Sequence, residues 1–154
     1  MNMSLFPLAA AETVAGFDHV VARLRELEAG AASPYGHCDL GEEAGVVEEL
    51  LLRAGAGELA SLAAFGGDVL GDDGVGTVCT LLSVDEVVRG HGFLAAVGIE
   101  ALTGGIADVL AATIAGGRVP HGYADEVAEL VGELTRLFET AARDGLCLVY
   151  LFEG

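Results

Sequence analysis

The fold is decided by the stretch Leu146-Cys-Leu-Val-Tyr-Leu-Phe152, which is apolar at every position. A strand with this pattern has both faces covered, so it belongs inside a sheet. The segment before it repeats apolar residues at the three-and-four spacing of a helix: Val127, Leu130, Val131, Leu134, Leu137, Phe138 and Ala141. Asp144-Gly145 then supplies a residue able to adopt the left-handed conformation that ends a helix. The sequence therefore predicts a long amphipathic helix followed by an inner strand.

A second strand is predicted at 75–82, where Val-Gly-Thr-Val-Cys-Thr-Leu-Leu is rich in β-branched residues. The segment Ser83-Val-Asp-Glu86 follows with the spacing of a capping box, in which the serine accepts a backbone hydrogen bond and the glutamate reaches back. This junction predicts a strand that leads directly into a helix. Because 75–82 and 146–152 are both too apolar to stand alone in water, we expect them in one sheet.

The N-terminal half is predicted to be mainly helical. After a short lead-in, apolar spacing predicts a helix from Glu12 to Glu28. A capping box at 39–42, with aspartate first and glutamate fourth, predicts a second helix that ends near Ala54. Glycine and aspartate residues predict a loop at 66–74.

The later connections are rich in glycine. The triplet Gly90-His91-Gly92 predicts a break or a kink in the helix that starts after Ser83. Small apolar residues at 98–117 predict further helical segments that divide at Gly104-Gly105, and 116–122 is expected to be a loop. The predicted class is α+β: one helix-rich domain, 1–154, with four to six helices packed on a small sheet that includes 75–82 and 146–152.

The chain has 24 acidic residues against seven arginines and no lysine, which gives a net charge of −17. Nucleic acids and anionic membranes are bound through basic residues that neutralise phosphate, so neither is an expected partner. A basic protein would instead be attracted to this surface. The start of the chain lacks the basic residues of a secretory signal, and no apolar run approaches the ~20 residues of a membrane span. We therefore expect a cytoplasmic protein.

The sequence motifs specify no metal, cofactor or catalytic centre. Three cysteines at wide spacings, Cys38, Cys79 and Cys147, are typical of buried free thiols. The glycine loop 71–76 precedes a strand, whereas a loop that binds a dinucleotide follows one. The segment His37-Cys-Asp39 offers three consecutive potential ligands, which cannot converge on one ion without help from elsewhere in the fold.

Several short motifs together carry a family resemblance. They are Asp39-Leu40 ahead of a helix ending in Leu50-Leu51-Leu52, the Gly66-Gly67 turn, Leu82-Ser-Val-Asp-Glu-Val87, and Phe138, Ala141-Ala142, Gly145 and Leu148-Val-Tyr-Leu151. In these positions the chain resembles the bacterial YfbM-like family (domain of unknown function 1877). Members typically carry a lysine and a tryptophan after the aspartate-leucine pair, and this chain has neither. The resemblance implies an α+β domain with helices packed on a small sheet, and it implies no chemistry.

Two functional hypotheses remain open. The small size, the acidity and the lack of a catalytic motif favour a non-enzymatic protein-binding module, of the immunity type that neutralises a basic protein partner. Its expected binding residues are exposed acids of two predicted helices: Glu48, Glu49, Glu129 and Glu133. The alternative is an enzyme or a small-ligand-binding domain whose site lies in the loops near Asp72, His91, His121 and Tyr123.

Overall fold

The computed structural model describes residues 2–30, 35–113 and 119–154. Its strands are β1 (Asn2–Leu8), β2 (Cys38–Gly41), β3 (Asp68–Asp72), β4 (Thr77–Leu82) and β5 (Cys147–Glu153). They form a five-stranded sheet in the order β2-β1-β5-β4-β3, and all neighbours are antiparallel. The helices are α1 (Ala10–Val14), α2 (Phe17–Glu28), α3 (Ala44–Arg53), α4 (Glu58–Phe65), α5 (Val84–Val97), α6 (Ile99–Gly104), α7 (Ile106–Thr113) and α8 (Tyr123–Arg143). The predicted α+β class is confirmed.

The central strand β5 is buried on both faces. Leu148 and Tyr150 belong to the larger core, which the helices from α3 to α8 build on one face of the sheet. Val149 and Leu151 belong to a smaller core with α2 on the opposite face. Since successive side chains of a strand point to opposite faces, a strand that is apolar at every position fits this place. The prediction of an inner strand is confirmed.

The predicted partner of this strand is also confirmed. β4 pairs with β5 along its length, from Thr77 opposite Glu153 to Leu82 opposite Leu148. At its end the Ser83 hydroxyl accepts a hydrogen bond from the Glu86 backbone N–H at 3.2 Å, and the Ser83 N–H donates to the Glu86 carboxylate at 3.0 Å. The capping box therefore starts α5 where the sequence predicts it.

Helix α8 buries the predicted apolar face against α5. Its buried residues are Val127, Val131, Leu134, Leu137, Phe138 and Ala141, and Gly145 follows its end with φ 66°. A Cβ atom on Gly90 would lie 2.6 Å from the Phe138 ring, so the glycine lets this ring approach α5 closely. α5 consequently continues through Gly90-His91-Gly92. The predicted break there is wrong, because helix packing rather than a turn requires the glycine.

Three strands lie where the sequence predicts other structure. β1 replaces the expected lead-in, and it accommodates Pro7 because β2 pairs only with Met3, Ser4 and Leu5. β2 replaces the capping box expected at 39–42. The Asp39 carboxylate accepts a hydrogen bond from the Gly41 N–H at 2.9 Å, and α3 starts only at Ala44.

The third unpredicted strand, β3, occupies the loop expected at 66–74. Its backbone groups pair with β4, with Asp68 opposite Leu81 and Asp72 opposite Val78. This pairing depends on a neighbouring strand and has no local signature, so glycine and aspartate content predicts a loop instead.

The helices are shorter and more numerous than the four to six expected, because glycines divide them. Gly16, with φ 103°, separates α1 from α2 within the predicted helix 12–28, and Gly98, with φ 83°, separates α5 from α6. Such backbone angles cost most residues strain but suit glycine. The parts of the predicted loops and helices that fall at 31–34 and 114–118 lie outside the described residues.

None of the helices in the described part of the chain is, on its own, long and apolar enough to cross a membrane. The segments Val84–Val97 and Ile99–Thr113 reach that length and composition only as a pair bent by 73°.

Candidate functional site

The N-terminal ends of α3 and α8 meet at a hydrogen bond that the Tyr123 hydroxyl donates to the Glu43 carboxylate. Burial raises the pKa of Glu43, and the nearby carboxylates of Glu42 and Glu126 raise it further. Three carboxylates, two from the residues that precede α3 and one from the first turn of α8, therefore converge at this junction. Glu43 directly precedes α3 and Tyr123 is the first residue of α8. The contact between the two side chains therefore depends on how the starts of these helices are placed in the fold.

The negative charge continues along α8. Glu126, Glu129 and Glu133 follow one another at spacings of three and four, which places them on one side of the helix. None of them forms an ion pair with an arginine that the structure describes. We call the surface formed by Glu42, Glu43, Glu126, Glu129 and Glu133 the acidic ridge.

Two of the predicted binding residues, Glu129 and Glu133, lie on the acidic ridge. The other two, Glu48 and Glu49, are half-buried on α3. Arg53 donates a hydrogen bond to the Glu49 carboxylate at 3.1 Å, so part of that charge is neutralised. The starts of the two predicted helices therefore lie close together in the structure. The acidic ridge also includes Glu42, Glu43 and Glu126, which the sequence analysis does not select as binding residues.

A cleft opens beside the ridge, where the chain that leads into β2 crosses α8. Its volume is about 180 Å³. The lining residues come from two segments, with Tyr35, Gly36 and His37 on one side and Glu133, Arg136, Leu137 and Thr140 on the other. The four residues from α8 are spaced by three, one and three positions, so they share one strip of that helix.

Arg136 differs from the other arginines that the structure describes. Arg23, Arg25, Arg53, Arg89 and Arg143 each lie within ion-pair distance of a carboxylate. Arg136 forms no ion pair with any described residue, although it lies in a strongly acidic protein. The cleft thus contains a guanidinium group available to a ligand, with Glu133 one helical turn away.

The four residues of the alternative pocket lie on separate elements. Asp72 ends the edge strand β3, where its carboxylate accepts a hydrogen bond from the Gly74 N–H at 2.8 Å. His91 lies within α5, and its Nδ1 atom is buried without a hydrogen-bond partner among the described residues. His121 is exposed just before α8, and Tyr123 binds Glu43. Among the described residues, no hydrogen bond joins Asp72 or His91 to His121 or Tyr123.

The cysteines are free and buried, as the sequence predicts. Burial is the main reason that the pKa of Cys38 rises to about 12 and that of Cys79 to about 11. A thiol with a raised pKa stays protonated near neutral pH and is a poor nucleophile. Within the described ranges, no three histidine, cysteine or acidic residues are grouped to hold a metal ion.

Comparisons with known proteins support the fold. No protein-family model and no curated protein matches the chain. It is similar to the crystal structure of YfbM from Escherichia coli, a protein of unknown function, with a TM-score of 0.61 and 15% sequence identity over 99% of each chain. At this identity the likeness shows a shared fold alone. The expected resemblance is therefore supported at the level of a YfbM-like fold.

Proposed function

We propose that this protein is a non-enzymatic protein-binding module whose acidic ridge receives a basic protein. The convergence of Glu42, Glu43 and Glu126 carries the proposal. Burial and the neighbouring charges raise the pKa of Glu43, which means that its ionised form is held at a free-energy cost. A cationic side chain docked here would relieve the repulsion among the carboxylates.

The rest of the ridge suits the same partner. Glu126, Glu129 and Glu133 lie on a helix whose opposite face is anchored in the core by Val131, Leu134 and Phe138. Glu126 and Glu129 are exposed and Glu133 is half-buried, so the buried face of α8 supports the three acids from behind. The net charge of −17 would steer a basic partner from a distance and accelerate association. A module of this type would act as an immunity-type neutraliser by covering the basic surface that its partner uses.

The experiment measures association with a basic protein captured from the native cell extract and then purified. The triple variant Glu126→Gln, Glu129→Gln and Glu133→Gln removes three charges from the ridge. We expect its association rate to fall by at least about tenfold, since steering by complementary charge raises such rates by one to three orders of magnitude. We also expect the wild-type rate to fall as salt screens the charges over ~8 Å.

The matched control removes three charges elsewhere, through Asp18→Asn, Asp68→Asn and Asp85→Asn. These residues are exposed on α2, β3 and α5. The control has the same net charge as the ridge variant, so it reports the contribution of overall charge alone. If both variants lose association equally, or if the captured partner ignores salt and both sets of changes, the acidic ridge is not the interface.

A further inference from the structure

The cleft beside α8 has the size and the charges of a small-molecule site. Its volume of about 180 Å³ lies below the roughly 300–1,000 Å³ of pockets that bury drug-sized ligands, so the space suits a compact ligand. The cleft is separate from the loops of the alternative pocket predicted above, because Asp72, His91, His121 and Tyr123 do not line it.

The two charges that line the cleft, on Glu133 and Arg136, are opposite in sign. Arg136 lowers the pKa of the buried Cys38, and Glu133 raises it, so both charged groups lie near the first residue of β2. They are three positions apart on α8 but form no ion pair with each other. A ligand can therefore contact a cationic and an anionic side chain within one helical turn.

Two further side chains that line the cleft, Thr140 and His37, can contact a ligand. Thr140 lies one turn beyond Arg136, and its hydroxyl has no hydrogen-bond partner among the described residues, unlike that of Thr135, which donates to the Val131 carbonyl. His37 is stacked on Phe6, with ring centroids 5.4 Å apart and planes 14° apart, and this contact holds the imidazole in place.

We propose that this cleft binds a small zwitterion, namely a free α-amino acid with an apolar side chain. Its carboxylate would bind Arg136 and the Thr140 hydroxyl, and its ammonium group would bind Glu133. The side chain would lie against Leu137 and the ring of Tyr35. A planar guanidinium is well suited to a carboxylate, because it can donate two parallel hydrogen bonds.

The overall charge selects among ligand classes. With a net charge of −17, the protein repels a simple anion before it reaches Arg136. A simple cation is attracted to the surface, but inside the cleft it would lie beside the unpaired guanidinium of Arg136. A zwitterion has no net charge, so it avoids the repulsion and satisfies both side chains. This inference goes beyond the proposed protein-binding function and does not depend on it.

The test is a titration of the full chain with L-alanine, L-valine and L-leucine, followed by amide chemical shifts and calorimetry. We expect saturable binding of at least one of them, with shifts at the lining residues. The N-acetyl derivative lacks the ammonium group and the amide derivative lacks the carboxylate, so each should bind at least about tenfold more weakly. If all three amino acids fail to saturate at millimolar concentration, or if either derivative binds equally well, the zwitterion site is refuted.

Variants separate the cleft from the ridge. Arg136→Gln and Thr140→Val should each weaken binding of the amino acid, the former by about tenfold or more. Arg143→Gln is the matched control, because Arg143 is exposed at the end of α8 and pairs with Asp144. It should leave the affinity unchanged. Arg136→Gln also leaves the ridge acids in place, so association with a basic protein should persist, and loss of one activity without the other identifies which proposal fails.

Urea unfolding shows whether the Arg136→Gln variant folds. If it folds and still binds the amino acid as tightly as the wild type, Arg136 does not bind the ligand's carboxylate. Thr140→Val changes no charge and keeps the side-chain volume similar, so it remains informative if Arg136→Gln does not fold.

Discussion

Replacing Gly90 with alanine should destabilise the protein even though alanine is the better helix former. A Cβ atom at this position would lie 2.6 Å from Cε1 and 3.0 Å from Cδ1 of Phe138. Carbon atoms in contact are ordinarily about 3.5–4.0 Å apart, so the ring would have to move by about 1 Å. Phe138 is fully buried, so the ring can move only by displacing its neighbours in the core.

The magnitude follows from two opposing effects. Overpacking a core costs about 1–3 kcal/mol, and replacing glycine with alanine inside a helix gains about 1 kcal/mol. We therefore expect Gly90→Ala to lower the free energy of unfolding by up to about 2 kcal/mol. Gly92→Ala is the control on the same helix, because its Cβ would meet nothing within 4 Å. It should raise the free energy of unfolding by about 1 kcal/mol.

A double-mutant cycle makes the argument specific to one contact. Phe138→Ala empties a buried site and should cost about 3–5 kcal/mol. With the ring removed, Gly90→Ala no longer meets an obstacle and should become stabilising by about 1 kcal/mol. The sign of its effect thus reverses, with a coupling free energy of about 1–3 kcal/mol. Urea unfolding gives the free energy of unfolding of all four proteins in the cycle. If Gly90→Ala stabilises the wild type as much as Gly92→Ala does, the close packing of Phe138 on α5 is refuted.

Three further predictions concern buried or titrating groups. Tyr150→Phe should lower the free energy of unfolding by about 1–3 kcal/mol in urea, because it removes the buried hydrogen bond of 2.7 Å that Tyr150 donates to the Ala63 carbonyl. Cys38 and Cys79, whose pKa values are raised to about 12 and about 11, should resist a thiol reagent at mildly alkaline pH and react only on unfolding. Because folding raises the pKa of Glu43 above 4.5, the folded state binds this proton more tightly, and the group's contribution to stability falls as pH rises through the interval above 4.5. Glu43→Gln should therefore be more stable than wild type at neutral pH, and a pH series of unfolding curves should show the difference shrinking towards pH 4.5.

The elements that the sequence predicts correctly are those whose signal is local and strong. The apolar period of α8 is set by its own residues, as is the capping box of Ser83 and Glu86. The pairing of β4 with β5 follows because both segments are too apolar to remain alone. These features place the central sheet and the largest helix of the fold.

The strands that the sequence does not predict depend on their neighbours. β1 contains Pro7, which local rules associate with a loop, but the proline lies beyond the residues that pair with β2. β3 has an irregular register between Val69 and Gly71 and consists partly of aspartate and glycine. In both cases the backbone hydrogen bonds come from β5 or β4, so the strand exists only because its partner does.

The acidic ridge was partly predictable, because Glu129 and Glu133 lie on the polar side of a helix with a clear apolar face. The cleft beside it was not, although its α8 residues share one strip of the helix. On a sequence, Glu133 and Arg136 belong to a solvated face. They line a cleft only because β2 pairs with β1 at the sheet edge and brings His37 alongside α8. The site therefore depends on a non-local strand pairing, and it becomes visible only after that pairing is known.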